Sequence, residues 1–183
     1  METDRLKRVI RRNYNADGSR LENTAEHSWQ ISLMALTLAE HADETVDPQR
    51  VVKMLLIHDL VEIDAGDTYL YSNGDVRERE RKEQQAAERI FGILPEDQRS
   101  EYRQLWDEFE AKESPEARFA KAIDRLMPIL NNFYSEGRSW IENDISREQV
   151  IEKCKGIAQG SENLWEFALQ IIDEGKDKGY LRM

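Results

Sequence analysis

The chain has 183 residues, a mass of 21.5 kDa and a net charge of -11 at pH 7, from 37 acidic and 26 basic residues. This length suits one domain with a buried core, and the negative charge argues against nonspecific binding to nucleic acid, whose phosphates must be neutralised. A single cysteine, Cys154, excludes an internal disulfide framework and a cysteine zinc site. The charged N-terminus and the lack of an apolar run of ~18 residues predict a cytoplasmic protein without a membrane span.

Long stretches of strong helix formers, with no clear alternating strand pattern, predict an all-α fold and a single domain over residues 1–183. In chain order, a first helix is expected from about Asp4 to Arg12, followed by a turn-rich loop, NYNADGSRLEN. The second helix begins near Asn23 or Thr24 and runs to about His41, because its apolar residues recur at helical spacing. Four residues share its stripe: His27, Ile31, Met34 and Leu38.

The third helix has Asp47 as its N-cap and Pro48 at its first position, and it is expected to run through QRVVKMLLIHDLVE. Apolar residues cover nearly its whole circumference, which predicts a central, buried helix. A loop, IDAGDTYLYSNGD, then leads to a highly charged fourth helix at about 76–92, interpreted as a solvated surface.

The second half of the chain predicts four more helices. LPEDQRSEYRQLWDEFEAK forms the fifth, and SPEARFAKAIDRLMPILNNF forms the sixth, with a kink expected at Pro128. Two further helices are expected at about 146–157 and 161–175. The domain would then consist of a core at about residues 20–130, on which C-terminal helices at about 134–176 pack.

The pair His58-Asp59 lies inside an apolar run, where an unpaired charge would be costly. A hydrogen-bonded core histidine is the common explanation of such a pair, but two further residues favour another one. His27 lies on the stripe of the second helix, and Asp124 lies on the apolar stripe of the sixth. Two imidazoles and two carboxylates facing each other across a helical core predict a site for a divalent cation.

The order His27, His58-Asp59 and Asp124 resembles the H…HD…D signature of the HD-domain metal-dependent phosphohydrolases, an all-α superfamily. The resemblance is closer still to the branch of the bacterial 5'-deoxynucleotidases and their eukaryotic HD-domain-containing relatives. It is carried by four segments: LKRVIRR, RLENTAEHSWQISLMA, LLIHDLVEIDAGD and KAIDRLMPIL. The resemblance implies that His27, His58, Asp59 and Asp124 bind one metal ion per chain.

In that branch, the residues matching Glu62 and Asp67 serve acid-base or water-orienting roles, and an arginine matching Arg12 contacts the phosphate. The next position, a tryptophan in the bacterial enzymes, is Asn13 here. The residues themselves point the same way for Glu62, which lies one helical turn beyond His58 if the third helix continues. For Glu62 the alternative is a solvated carboxylate at a helix end, and for Asp67 the alternative is a turn residue.

Five charged residues near these motifs, Arg12 among them, have interpretations of their own. Arg20 and Arg12 bracket the turn-rich loop and are candidate phosphate-binding residues, with ordinary surface arginines as the alternative. Asp64 is interpreted as a turn residue. Glu22 and Glu26 are interpreted as residues that cap the second helix or stabilise its dipole.

The function expected from these residues is metal-assisted hydrolysis of a small phosphomonoester, such as a nucleoside 5'-monophosphate. The donor set leaves Mn, Co, Fe, Ni, Zn and Mg open. Alternatives are an HD-type phosphodiesterase or nucleoside-triphosphate hydrolase, and a metal- or nucleotide-binding regulatory module without turnover. A homodimer is also expected, since the late helices carry Trp140, Trp165 and Phe167.

Overall fold

The computed structural model describes residues 1–72 and 75–182, and helices account for most of them. The prediction of an all-α fold is confirmed, apart from one small two-stranded sheet. Asn73 and Gly74, which belong to the loop predicted before the fourth helix, lie outside the described residues, as does Met183. Within the described residues, no helix is long and apolar enough to cross a membrane.

The predicted first helix is wrong in its second half. A 3₁₀ helix at Glu2–Arg8 ends before strand β1, Ile10–Tyr14, which pairs antiparallel with strand β2, Leu21–Asn23. The chain reverses at Gly18, whose φ of 68° suits glycine, and the Asp17 carboxylate accepts a hydrogen bond from the backbone N–H of Ser19 at 2.9 Å. An Asp-Gly turn between short polar segments thus forms a hairpin rather than a loop.

Helix α1, Thr24–Leu38, begins with a reciprocal cap. The Asn23 side chain accepts from the N–H of Glu26, and the Glu26 carboxylate accepts from the N–H of Asn23. Helix α2, Pro48–Ile57, begins as predicted, with the Asp47 side chain accepting from the N–H of Gln49.

The end of α2 differs from the prediction, because the helix stops at Ile57. Tight turns follow, in which the N–H of Leu60 donates to the carbonyl of Ile57 and the N–H of Glu62 donates to that of Asp59. A short helix α3, Glu62–Ala65, comes next and ends at Gly66, whose φ is 76°. Glu62 therefore begins a new helix instead of lying one turn further along the helix that precedes His58.

The remaining helices agree with the predicted ones to within a few residues, except that α7 was not predicted. Helix α6 continues through Pro128 without ending. The bounds are α4 Val76–Phe91, α5 Glu96–Ala111, α6 Pro115–Tyr134, α7 Arg138–Glu142, α8 Arg147–Cys154, a 3₁₀ helix Lys155–Gln159, and α9 Glu162–Asp177.

Helix α6 is the element around which the others pack, since it contacts α1, α2, α5 and α9. The prediction that α2 is buried around its whole circumference is only partly right, because Leu56 is 48% exposed. Helices α1 and α6, together with the end of α2, meet in the core, and this meeting brings together the polar residues on which the site depends.

Candidate metal centre

Four polar side chains from three parts of the chain converge in the core: His27 of α1, His58 and Asp59 just after α2, and Asp124 of α6. The Nε2 atom of His27 lies 3.2 Å from Oδ1 of Asp124, and Nε2 of His58 lies 3.7 Å from the same oxygen. His58 Nε2 is also 3.0 Å from Oδ2 of Asp59. Donor atoms of His27, His58 and Asp59 all lie within 4.8 Å of one another, close enough for one ion.

The hydrogen bonds of the two buried histidines determine which ring nitrogen faces this cluster. The Nδ1 atom of His58 lies 2.8 Å from the carbonyl oxygen of Leu55, which can only accept, so Nδ1 carries a proton and Nε2 points toward the carboxylates. In His27, Nδ1 faces a carboxylate oxygen of Glu22 at 3.3 Å, so Nε2 again faces Asp124. The ring of His58 is held further by edge packing against Phe109, with centroids 4.8 Å apart.

This arrangement fits a divalent cation. The Nε2 atom of His58 is buried and lacks a well-formed hydrogen bond, which is an unfavourable state for a polar atom unless it binds a ligand. Imidazole nitrogens held by second hydrogen bonds, together with nearby carboxylates, are the usual ligands of divalent metals in proteins. Without a thiolate, the donor set does not choose among such metals.

The charges in the cluster are strongly coupled. Burial by itself would lower the pKa of His58, but the carboxylates of Asp59 and Asp124 outweigh burial and raise this pKa to about 10. Conversely, burial favours the neutral form of Asp59, yet the charges of His58 and Arg11 hold its pKa well below the usual value. The raised pKa favours a protonated His58 at neutral pH, and a bound cation would replace that proton.

Arg11, which no pattern in the sequence singled out, also lies at the cluster. Its Nη1 atom is 3.0 Å from Oδ2 of Asp59 and 3.8 Å from Asp67, and its Nε atom is 3.1 Å from Glu22. These carboxylates outweigh the burial of the guanidinium and raise its pKa. Alternation along β1 directs Arg11 inward and leaves Arg12 exposed.

Glu22 is a buried part of the site, so its interpretation as a capping residue is wrong. Its side chain is 1% exposed and contacts Arg11 and His27, and it accepts a hydrogen bond from Nδ2 of Asn131 at 3.0 Å. Through Nδ1 of His27, Glu22 fixes the orientation of that ring. The interpretation of Glu26 as a capping residue is confirmed.

Glu62 and Asp67 line the same small polar cavity as the metal-ligand candidates Asp59 and Asp124. The cavity measures about 120 Å³. Oε2 of Glu62 accepts a hydrogen bond from the Thr24 hydroxyl at 2.8 Å. Burial, reinforced by the charge of Asp59, raises the pKa of Glu62 well above its usual value, and burial raises that of Asp67. Both acids can therefore hold a proton at a higher pH than an ordinary carboxyl group.

The other residues named from sequence lie further out. Arg20 is 56% exposed and pairs with Glu26 through two hydrogen bonds of 2.6 and 2.7 Å, and it does not line the polar cavity. Arg12 lines a neighbouring cavity of about 40 Å³ with Asn13, Asp67 and the aromatic rings of Tyr69 and Tyr71.

Asp64 lies within α3 rather than in a turn. Its carboxylate points away from the cluster and pairs with Arg89. Of the three acids in the segment EIDAGD, the structure thus brings two to the cavity and leaves the third at the surface.

Comparison with known proteins gives a consistent set of relatives. The sequence model of the HD domain matches residues 3–165. Human 5'-deoxynucleotidase HDDC2 is 34% identical over 126 residues, which are 68% of this chain and 60% of the human protein. A 5'-deoxynucleotidase of Erwinia tasmaniensis is 32% identical over 150 residues, covering 73% of this chain and 75% of that protein.

Among solved structures, a predicted metal-dependent phosphohydrolase from Magnetospirillum magnetotacticum MS-1 is similar with a TM-score of 0.95 and 48% sequence identity. The match covers 100% of this chain and 91% of that one. The alignments cover 60% of the human HDDC2 protein and 53% of the one from Danio rerio, so the chain spans less than two thirds of the length of these relatives.

Proposed function

Because the chain belongs to the HD-domain family, whose model covers residues 3–165, we propose that it is a metal-dependent phosphohydrolase that releases phosphate from nucleoside 5'-monophosphates. One observation carries this proposal: two acids with raised pKa values, Glu62 and Asp67, share a cavity with Asp59 and Asp124 of the metal centre. The relatives named 5'-deoxynucleotidases support the choice of substrate class.

The proposed ligands of one divalent cation per chain are His27, His58, Asp59 and Asp124, whose donor atoms face one another. A cation bound there supplies Lewis acidity, which polarises a phosphoryl oxygen and acidifies water. Glu22 and the Leu55 carbonyl hold the two imidazole rings in the orientation that this binding needs.

The chain's own groups provide the rest of the proposed chemistry. Arg11 holds a buried positive charge at the cavity, where it would bind phosphate oxygens and offset their charge. Hydrolysis needs one group to accept a proton from water and another to donate one to the departing alcohol oxygen. Glu62 and Asp67 are the proposed proton carriers, and Arg12, which borders the adjoining cavity, is a proposed contact for the phosphate.

We also propose a homodimer, but fewer of the aromatic residues named from the sequence are available to form its interface. Trp140 is 1% exposed and belongs to the core, whereas Phe167 is 40% exposed beside an open apolar cavity of about 910 Å³. Measuring the mass in solution by light scattering tests this part. A dimer mass is expected, and a monomer mass over the whole concentration range would contradict it.

The activity is tested by phosphate release from ribo- and deoxynucleoside 5'-monophosphates, sugar phosphates, nucleoside triphosphates and phosphodiesters, with each divalent metal in turn. Release from at least one 5'-monophosphate is expected, with loss on chelation and recovery when metal is restored. Cleavage of only the diester or triphosphate would contradict the substrate class. Tight nucleotide binding without any turnover would favour a regulatory module.

A further inference from the structure

A strongly basic pocket adjoins the metal centre, although the chain as a whole carries a net charge of -11. The pocket has a volume of about 180 Å³, and no acidic side chain lines it within the described part of the chain. Gly156 and Gln159 complete its wall. Its five cationic residues are Lys112, Arg118, Lys121, Arg125 and Lys153.

Most of this positive charge is not neutralised by the protein. Lys121 pairs with Glu110 at 3.1 Å, and Arg118 pairs with Glu44. For Lys112, Arg125 and Lys153, no carboxylate oxygen lies within ion-pair distance in residues 1–72 and 75–182. Like charges held together in a concave surface repel one another, and an anion placed among them would relieve this repulsion.

Lys112 shows the effect of this crowding. Partial burial and the charge of Lys121 lower its pKa, so the protein makes the charged form less favourable than it is in water. Lys112 also caps the C-terminus of helix α5 with a φ of 58°, a left-handed conformation in which glycine is the usual residue. Lys112 therefore lies in the pocket although the neighbouring positive charge disfavours its charged form and its left-handed backbone favours glycine.

The basic pocket and the polar cavity of the metal centre share two lining residues. Lys121 and Arg125 line both, and Arg125 follows the ligand candidate Asp124 in α6. The ammonium group of Lys121 lies 3.7 Å from the ring centroid of Phe109, the residue that packs against His58. An anion in the basic pocket would thus contact side chains that also line the cavity of the metal centre.

We propose that the basic pocket is a second phosphate-binding subsite, so that the preferred substrate carries another phosphate besides the one removed, as a nucleoside 3',5'-bisphosphate does. Lysine ammonium groups and an arginine fork are the side chains that bind phosphate oxygens most strongly. The inference rests on the proposed function for the group that is hydrolysed. The same chemistry would also accept a free phosphate ion, and the two sources are separable by experiment.

The first experiment compares a nucleoside 5'-monophosphate with the corresponding 3',5'-bisphosphate in the metal-loaded protein. The wild-type protein should show a KM at least about tenfold lower for the bisphosphate, with 5'-phosphate release from both. The double variant Lys112→Ala/Lys153→Ala should lose this preference. The matched control, Lys155→Ala/Lys178→Ala, removes two exposed lysines that do not line the pocket and should retain it.

The second experiment measures the binding of inorganic phosphate to the metal-loaded protein by calorimetry and needs no turnover. Two phosphates per chain are expected for the wild type and the control variant, and one for Lys112→Ala/Lys153→Ala. The double variant could bind one phosphate fewer than the wild type while the wild type shows no preference for the bisphosphate. That result would support the subsite and identify free phosphate as its ligand. Equal phosphate binding by the wild type and the folded double variant, with equal KM ratios, would overturn the proposal. Absence of all turnover would contradict the proposed function, while the phosphate count would still decide the pocket.

Discussion

The carboxylates of the metal centre and those of the charged surface have the same chemistry and opposite surroundings. On α4 and α5, Glu78 pairs with Arg81 at 2.7 Å and Asp107 pairs with Arg103 at 3.0 Å, all at partly exposed positions. Such pairs are each worth about 0–1 kcal/mol, because water screens them. At the metal centre the carboxylates are buried or nearly so, and they pair with Arg11 and with two histidines. These carboxylates belong to Asp59, Asp124 and Glu22.

The same contrast occurs within one short segment. Glu62 and Asp67 line the polar cavity and have raised pKa values, whereas Asp64 lies between them in sequence and pairs with Arg89 at the surface. Spacing along the chain therefore says little about an acid's role. Its direction relative to the core decides whether it reaches the cavity.

The largest effect is expected for Asp124→Ala, which removes the carboxylate that faces both histidines. Metal content should fall from about one ion per chain to below ~0.1, and turnover should fall by at least about 10³-fold. Metal analysis of the purified, folded variant measures this. Asp107→Ala removes a surface carboxylate as a control and should keep its metal. Full metal content in Asp124→Ala would show that the distal aspartate is not a ligand.

Glu62→Gln and Asp67→Asn should lower kcat by about 10²- to 10⁴-fold each while metal content stays near normal, since both side chains are proposed proton carriers and not ligands. Steady-state kinetics on metal-replete protein, paired with metal analysis, separates the two effects. If Asp67→Asn retains the wild-type kcat, Asp67 does not carry a proton in the reaction. Loss of metal in Glu62→Gln would instead make Glu62 part of the binding cluster.

Metal affinity should depend on pH, because the raised pKa of His58, about 10, favours a protonated ring at neutral pH. The cation must displace this proton, so acid favours the proton-bound form and weakens metal binding. The affinity for the metal should rise by about tenfold per pH unit between about pH 6 and pH 8. Calorimetry in buffers with different ionisation enthalpies should detect about one proton released per ion. An affinity that does not change with pH would contradict a protonated His58 at neutral pH.

Glu22→Gln should weaken metal binding by about tenfold, because it removes the charge that orients the His27 ring. The amide can still pair with Asn131, so the fold should be retained. Competition with a metal-sensitive dye gives the affinity. Glu26→Gln is the matched comparison, since Glu26 caps α1 and pairs with Arg20, and it should leave metal affinity unchanged. Equal effects of the two substitutions would mean that Glu22 has only a structural role.

The smallest effect is expected for Asp64→Asn. Its ion pair with Arg89 is partly exposed, so its loss should cost less than about 1 kcal/mol of unfolding free energy and leave kcat within about twofold of the wild type. Urea unfolding and the phosphate-release assay measure both quantities. If Asp64→Asn loses as much activity as Asp67→Asn, the proposed difference in role between the surface acid and the cavity acids is wrong.

Most helices could be predicted from the sequence because their signals are local. Asp47-Pro48 and Ser114-Pro115 mark helix starts that the structure retains. The hairpin had one local signal, the Asp17-Gly18 turn, but its strands and α7 had none. Strand β2, Leu21–Asn23, is too short to show alternation, and its stability depends on its partner strand and on packing rather than on its own propensity.

By itself, the sequence determined that His27, His58, Asp59 and Asp124 lie close together, since each is a polar residue at an apolar position and burial leaves such residues few partners. Tertiary structure decided which neighbouring side chains face them. Residues 10–14 form a strand instead of a helix, and this places Arg11 inward and Arg12 outward. The early end of α2 and the turn at Gly66 direct Glu62 and Asp67 into the cavity, because the backbone path, and not the spacing, sets where a side chain points.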